Sequence, residues 1–342
     1  MFVSKKNARK KPLPFFYLRL GSFEFTPSAP DLIRIIGTFF IFFCLGSSLL
    51  IANSNKNFDV ATEKTVLACE STSSCSGTES ASKKVKGAFS SLINSDIPDV
   101  PAPLVSATAA IVYDGNKDTF LYEKNSSLKL SPASTTKMMT ALIAIENLPL
   151  DQEITVLSNC VNQVGSKVGF LEGEVLSVES LLYGLLVPSG NDAACALGYS
   201  QPDFIALMNK RVRDLGLKDT SFSNPVGLDS NGDHYTTARD LSKIAWEALK
   251  NPLFRKFIGT REIVISSSDG NIKHSLSTTN RLLYNFPGTT GVKTGYTEDA
   301  GGCFVLSHVF GDRELVTVVL ASDNRLEEAE KLTRWAEENF TN

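Results

Sequence analysis

The chain has 342 residues, a formal net charge of −3, 42% hydrophobic and 21% charged residues. That balance is ordinary for a globular protein and excludes wholesale disorder, collagen and an extended coiled coil. It gives no ground for nucleic-acid binding, and the length allows about two domains, or one large domain with added segments.

The charge is uneven. Residues 1–34 hold seven bases (Lys5, Lys6, Arg9, Lys10, Lys11, Arg19, Arg34) against Glu24 and Asp31, so the remainder is acidic. Ile35–Ala52 follows as eighteen residues without a charge, close to the ~20 that span hydrocarbon. Bases ahead of such a run keep the N-terminus cytoplasmic and put the rest outside. The expectation is an uncleaved signal-anchor in the cell membrane. A cleavable signal peptide is the rival reading, against which the basic leader is unusually long. Residues 53–103 are polar, with nine serines between 71 and 95 and then Pro98, Pro101 and Pro103. Such a stretch buries too little surface to fold and reads as a tether with a stiff end. Residues 104–342 are then the folded domain.

Within it, Ala107–Tyr113 and Thr119–Tyr122 flank a polar, glycine-containing loop and predict a β-hairpin. Ser134–Glu146 is apolar on most faces, as a helix through the middle of a core would be. Val178–Leu186 predicts a second helix, broken at Pro188-Ser189-Gly190-Asn191. Asp192–Leu197 starts a third, with Asp192 suited to the positive end of its dipole. Phe204–Leu215 and Ala238–Leu249 are amphipathic. Thr290–Tyr296, Cys303–Phe310 and Glu314–Ala321 read as strands, the last two joined at Gly311-Asp312, and Leu326–Phe340 closes the chain as a helix. Two strands, a run of helices, three strands and a helix make an α+β unit.

His234, His274 and His308 are scattered, and none of the six cysteines forms a C-x-x-C pair, so no zinc site is expected. Cys195 and Cys303 sit in apolar runs and are expected to pack as small hydrophobes. Cys69 and Cys75 flank a short Ser/Thr stretch that an oxidising compartment would allow to close.

A serine three residues before a lysine puts both side chains on one helical face. Three such pairs occur: Ser80–Lys83 in the tether, Ser126–Lys129 in a polar loop, and Ser134–Lys137. Only the third follows a proline and opens an apolar helix. A helix cap with a surface lysine would explain Ser134, but not a lysine beside Met138, Met139, Leu142 and Ile143. Lys293-Thr294-Gly295 lies inside a predicted strand, where its glycine would let a ligand approach the backbone. Ser189-Gly190-Asn191 lies between two helices. Ser322-Asp323-Asn324 has a similar form but falls at a strand exit, where a turn accounts for it.

The order Ser134-x-x-Lys137, Ser189-x-Asn191, Lys293-Thr294-Gly295 resembles the penicillin-recognising serine enzymes. The words SPASTTKMMTAL, LLYGLLVPSGNDAACAL, HYTTARDL and GVKTGYTEDAGGC look like the D-alanyl-D-alanine carboxypeptidases of peptidase family S11, the low-molecular-weight penicillin-binding proteins. The similarity spans about residues 104–342. No Glu-x-x-Leu-Asn word of the class A β-lactamases stands between the second and third motifs. Many relatives carry a further β-rich domain and a C-terminal amphipathic anchor; the expectation here is that the N-terminal span would supply the anchorage instead.

The resemblance implies a β-lactamase/DD-peptidase-like (transpeptidase-like) fold, a five-stranded antiparallel sheet flanked by helices with an inserted helical region. It implies removal of the terminal D-Ala from peptidoglycan stem peptides through an acyl-enzyme on Ser134, without metal or organic cofactor, and acylation by β-lactams. Lys137 would be the base, Ser189 a proton relay, Asn191 a holder of the substrate amide and of Lys137. Lys293, staying charged, and Thr294 would face the terminal carboxylate, with Arg325 either a second cationic partner there or a solvated arginine at a helix start. Gly295 would allow close approach, and the N–H groups of Ser134 and Tyr296 would form the oxyanion hole. A free lysine near pKa ~10.4 is no base at neutral pH; burial and the Lys293 cation would lower it. The alternatives are a DD-endopeptidase on peptidoglycan crosslinks, or a penicillin sensor that acylates with little turnover.

Overall fold

The computed structural model describes residues 100–229 and 232–340. The expected basic leader, membrane span, most of the tether, and Cys69 and Cys75 lie outside the described residues. Among the described residues no helix is long and apolar enough to cross a membrane.

In chain order the elements are β1 (Ala109–Asp114), β2 (Thr119–Lys124), a 3-10 turn (Ala133–Thr136), α1 (Lys137–Asn147), β3 (Glu153–Thr155), α2 (Ser158–Val161) and β4 (Val175–Ser177). Then come α3 (Val178–Leu186), α4 (Asn191–Tyr199), α5 (Phe204–Asp214), α6 (Ala238–Leu249), α7 (Pro252–Ile258), β5 (Glu262–Ser266) and β6 (Lys273–Ser277). The chain closes with α8 (Leu282–Asn285), β7 (Thr289–Thr297), β8 (Gly301–Phe310), β9 (Arg313–Ser322) and α9 (Arg325–Asn339). A five-stranded antiparallel sheet runs in the order β2-β1-β9-β8-β7. The expected α+β class and sheet are those observed.

The central strands are buried on both faces, which is why they read as nearly continuous apolar runs rather than a strict alternation. Ala109, Ile111 and Tyr113 of β1 join Val316, Val318 and Leu320 of β9 in the core under the inserted helices. Ala110, Val112, Phe304, Leu306 and Val319 point the other way, against Ala329, Leu332 and Ala336 of α9. The period of two in a strand assigns each residue to one face or the other. A polar tie crosses the second layer, where the Thr317 and Thr333 hydroxyls lie 2.6 Å apart.

Three features differ from the sequence expectation. The helix expected over Ser134–Glu146 begins as a 3-10 turn, and Lys137 opens the α-helix. Two small hairpins, β3–β4 and β5–β6, were not expected; their strands are three to five residues long and half exposed, too short for periodicity to register. Third, Cys195 is not a lone small hydrophobe. It is disulfide-bonded to Cys160 across 35 residues, joining α2 to α4. In the chain-entropy account, closing a loop of that length stabilises the fold by about 4 kcal/mol. Cys303 is a buried free thiol, as expected, with its pKa pushed up to about 11 by burial.

Candidate active site

Every residue of α1 from Lys137 to Ala144 is buried. The apolar helix therefore carries one amine into the interior, and Lys137 has no exposed surface. A buried amine must find hydrogen-bond partners. Lys137 Nζ donates to Asn191 Oδ1 at 2.7 Å and to the Val226 carbonyl at 2.7 Å, and lies 2.7 Å from Ser134 Oγ. Burial first, then the Lys293 cation, hold the amine well below the usual lysine range, against an opposing pull from Asp192. A neutral amine has two N–H donors and one lone pair. The two carbonyl-type acceptors take the donors, and the lone pair is left for the Ser134 hydroxyl proton.

The turn that presents Ser134 is backbone-strained and tightly backed. Ala133, just before it, has a φ of +47°, a left-handed conformation costing about 1–2 kcal/mol in a residue with a Cβ. Behind the turn packs the 224–228 segment. Asn224 Oδ1 accepts from the N–H groups of Val226, Gly227 and Leu228. His234 clamps the chain just before this segment to the 3-10 turn that presents Ser134. The Ser223 N–H donates to His234 Nδ1 at 3.0 Å, so the ring proton sits on Nε2, which donates to Thr136 Oγ1 at 2.8 Å. Burial lowers the His234 pKa to about 4, so the ring is neutral at pH 7.

Ser189 and Asn191 occupy the entrance to α4. Ser189 is buried and has a φ of +68°; non-glycine residues held this way cluster at functional sites. Asn191 reaches Lys137 with its oxygen and donates its Nδ2 to the Val164 carbonyl. Asp192 caps the arrangement, its carboxylate accepting from the N–H groups of Val168, Gly169, Phe170 and Ala193. Its position at the N-terminus of α4 suits the dipole, as the sequence reading expected.

The third motif lies on β7, which packs against the nucleophile turn. A Cβ on Gly295 would sit 3.0 Å from Ser134 N and 3.2 Å from Thr135 N. Any side chain here would push strand backbone and turn backbone apart by a few tenths of an ångström. Lys293 is buried, and its Nζ donates to the Thr294 carbonyl at 2.9 Å. Burial, with the Arg325 cation, lowers its pKa to about 7. This departs from the expectation of a permanently charged Lys293, because sequence gave no measure of its burial. Thr294 shares a 2.7 Å hydrogen bond with the Thr279 hydroxyl. Tyr296 is exposed, and the Arg325 guanidinium stands 6.0 Å from the centre of its ring. Arg325 Nε is buried with no hydrogen-bond partner among the described residues.

The three motifs thus meet at one place. Ser134, Lys137 and Asn191 are directly linked, Gly295 abuts Ser134, and Lys293 and Arg325 act electrostatically on one another. The decoys among the described residues fall elsewhere, and Ser80–Lys83 lies outside them. Ser126 hydrogen-bonds Glu123, Lys129 pairs with Asp219 at 3.2 Å, and Ser322-Asp323-Asn324 forms the β9–α9 turn. Sequence reasoning missed the Val226 carbonyl, the His234 clamp, Thr279 and the disulfide. The word HYTTARDL contained His234 without revealing its partners.

Comparison with known proteins agrees with this geometry. The peptidase S11 family model, described as D-alanyl-D-alanine carboxypeptidase, matches residues 97–324. The chain is 35% identical over 244 residues to the D-alanyl-D-alanine carboxypeptidase DacF of Bacillus subtilis, covering 69% of this chain and 62% of that protein. It is 35% identical over 243 residues to the D-alanyl-D-alanine carboxypeptidase of a Streptomyces species (strain K15), covering 65% of this chain and 83% of that one. The crystal structure of the Streptomyces K15 DD-transpeptidase superposes with a TM-score of 0.67 at 33% identity, over 70% of this chain and all of that one. A D-alanyl-D-alanine endopeptidase of Escherichia coli is 29% identical. With the three motifs assembled around one buried amine and the family model matching most of the folded domain, the chain belongs to the S11 family of D-alanyl-D-alanine carboxypeptidases.

Proposed function

We propose that this protein is a serine D-Ala-D-Ala carboxypeptidase that removes the terminal D-Ala from peptidoglycan stem pentapeptides and is acylated by β-lactams at Ser134. The observation that carries the reading is the Lys137 amine, fully buried, next to a second lysine, and 2.7 Å from the Ser134 hydroxyl. A surface lysine at that spacing would be charged and useless as a base.

In the first step Lys137 takes the Ser134 proton as Oγ attacks the carbonyl of the penultimate D-Ala. The Ser134 and Tyr296 N–H groups, on backbones that Gly295 brings together, receive the developing oxyanion, each such donor being worth about 3–4 kcal/mol. Ser189 passes the proton to the departing D-Ala. Asn191 holds both Lys137 and the substrate amide. Lys293, Thr294 and Arg325 face the terminal carboxylate; the unpartnered Arg325 Nε supplies a donor there. A water activated by Lys137 and Ser189 then frees the shortened peptide. The Cys160–Cys195 disulfide supports an oxidising, extracytoplasmic location for the domain, in keeping with a membrane-anchoring segment at residues 35–52.

Ser134→Ala tests the nucleophile. It is expected to abolish covalent labelling by a fluorescent penicillin while the fold persists, and continued labelling at the wild-type stoichiometry would refute the assignment. The pH profile tests the division of labour between the lysines. Lys137 must be neutral, so kcat/KM rises with pH through its depressed pKa. Lys293 must be charged to attract a carboxylate, so kcat/KM falls as pH rises through about 7. A bound carboxylate raises the Lys293 pKa, so kcat should persist to higher pH than kcat/KM. A kcat/KM still rising at pH ~9 would exclude this role for Lys293.

A crosslink-cutting endopeptidase is the second reading, favoured by the Escherichia coli endopeptidase among the relatives. Mass spectrometry of digested peptidoglycan separates them: free D-Ala from monomers marks the carboxypeptidase, loss of dimers the endopeptidase.

A further inference from the structure

In the 162–174 segment between α2 and β4 the apolar anchors are Val168 and the buried Phe170, and the stretch before them that meets the active site has none. Val164, Gly165, Ser166 and Lys167 are all exposed. Hydrogen bonds hold it to the first turn of α4. Asn191 Nδ2 donates to the Val164 carbonyl, and the Asn191 N–H donates to the Ser166 carbonyl at 2.7 Å. The N–H groups of Val168 and Gly169 donate to the Asp192 carboxylate at 3.0 and 2.9 Å. The one covalent tie stands at the start of this segment, where Cys160 is bonded to Cys195. Cys195 follows Asn191 by four residues and so shares its helix face.

A continuous path therefore runs from the disulfide through the segment to Asn191, to Lys137 and to Ser134. Stretches with few buried apolar contacts open at low free energy, and residues 162–167 also lose their covalent anchor if the disulfide is reduced. Cys160 is fully buried and Cys195 is 3% exposed. Cys195 borders a cavity of about 670 Å³, whose lining includes Gln163, Tyr199, Gln201, Ile205 and Pro225 and carries no charged side chain. A small neutral thiol reagent fits such a space.

We propose that the Cys160–Cys195 disulfide is a positioning element for acylation, and that its reduction by a small dithiol entering this cavity slows attack by Ser134. A thiolate of the dithiol attacks Cys195 Sγ, and Cys160 leaves and takes a proton. The second thiol of the reagent then displaces Cys195 as a thiol and closes the reagent to its own disulfide. The protein gains two hydrogens and the reagent loses two, which balances the exchange. The proposal rests on Ser134 being the nucleophile.

The test uses the full chain and a fluorescent penicillin, following both the rate and the final stoichiometry of labelling, before and after treatment with dithiothreitol. Reduction is expected to lower the second-order labelling rate about tenfold or more, as sub-ångström to ångström displacements of catalytic groups do. The stoichiometry at saturation should stay at one label per molecule, and reoxidation should restore the rate. The double variant Cys160→Ala/Cys195→Ala should label slowly whether or not dithiothreitol is present, which separates this bond from the other cysteines. A reduced protein that labels at the oxidised rate would overturn the proposal. So would a loss confined to stoichiometry, which would show that the bond only keeps molecules folded. If the oxidised protein takes no label on Ser134, the proposed function fails instead.

Discussion

Replacing Lys137 with methionine should lower the rate of Ser134 acylation by about 10³-fold, or ~4 kcal/mol of transition-state stabilisation. Methionine approximates the lysine stem and keeps α1 packed among Met138, Met139 and Leu142, all of which are buried. What it removes is the lone pair 2.7 Å from Ser134 Oγ. Stability has two opposing contributions. The Asn191 Oδ1 and Val226 carbonyl lose their donor, at about 1–3 kcal/mol for each acceptor left unsatisfied. An amine held neutral by burial also disappears, which favours the folded state. The net should stay within a few kcal/mol, so the variant should fold. The checks are labelling kinetics with a fluorescent penicillin and a thermal melt on the same sample. A folded Lys137→Met protein that acylates within tenfold of the wild-type rate would remove Lys137 from the mechanism.

The largest loss of stability should come from Gly227→Ala. Gly227 has a φ of +91°, and a Cβ there would lie 2.0 Å from the Ala133 carbonyl oxygen and 2.6 Å from its carbon. Neither atom belongs to a flexible side chain. They are the backbone of the turn that presents Ser134, so relief requires displacing either that turn or the 224–228 segment. That segment is fixed by Asn224 Oδ1, which accepts from three successive N–H groups, and by the His234 clamp. Left-handed strain adds about 1–2 kcal/mol, and the clash with the turn backbone should bring the total above about 4 kcal/mol. For a domain of this size that lowers Tm by about 10 °C or more. Any protein that remains folded should also acylate slowly, because the Val226 carbonyl, adjacent to the substitution, is a partner of Lys137. A variant melting within ~3 °C of the wild type and labelling at its rate would show that the turn yields more easily than its contacts imply.

Much of the site was legible in the chain. Ser134 and Lys137 are one helical turn apart, so any helix through them must bring them together, and the apolar surround of Lys137 announced its burial. Gly295 was readable as a point of close approach, and the structure shows that what approaches is Ser134's own backbone. The last three strands and the closing helix were readable because long elements average out local noise. The hairpins β3–β4 and β5–β6 were not, having too few residues to display a period.

What sequence by itself determined is therefore local: which residues share a helix face, which stretches must be buried, and where the chain turns. Only the tertiary structure decided the partners across the fold. A backbone carbonyl such as that of Val226 looks the same in every residue type, so no sequence signal marks it as the acceptor for Lys137. Cys160 and Cys195 lie 35 residues apart and meet only because the 162–174 segment folds back on α4. The pKa of Lys293 falls to about 7 first because packing buries the amine on β7, and then because the start of α9 brings Arg325 near it. Burial and Coulomb energy depend on distance in space, and the spacing of residues along the chain does not fix that distance until the sheet and its helices have packed.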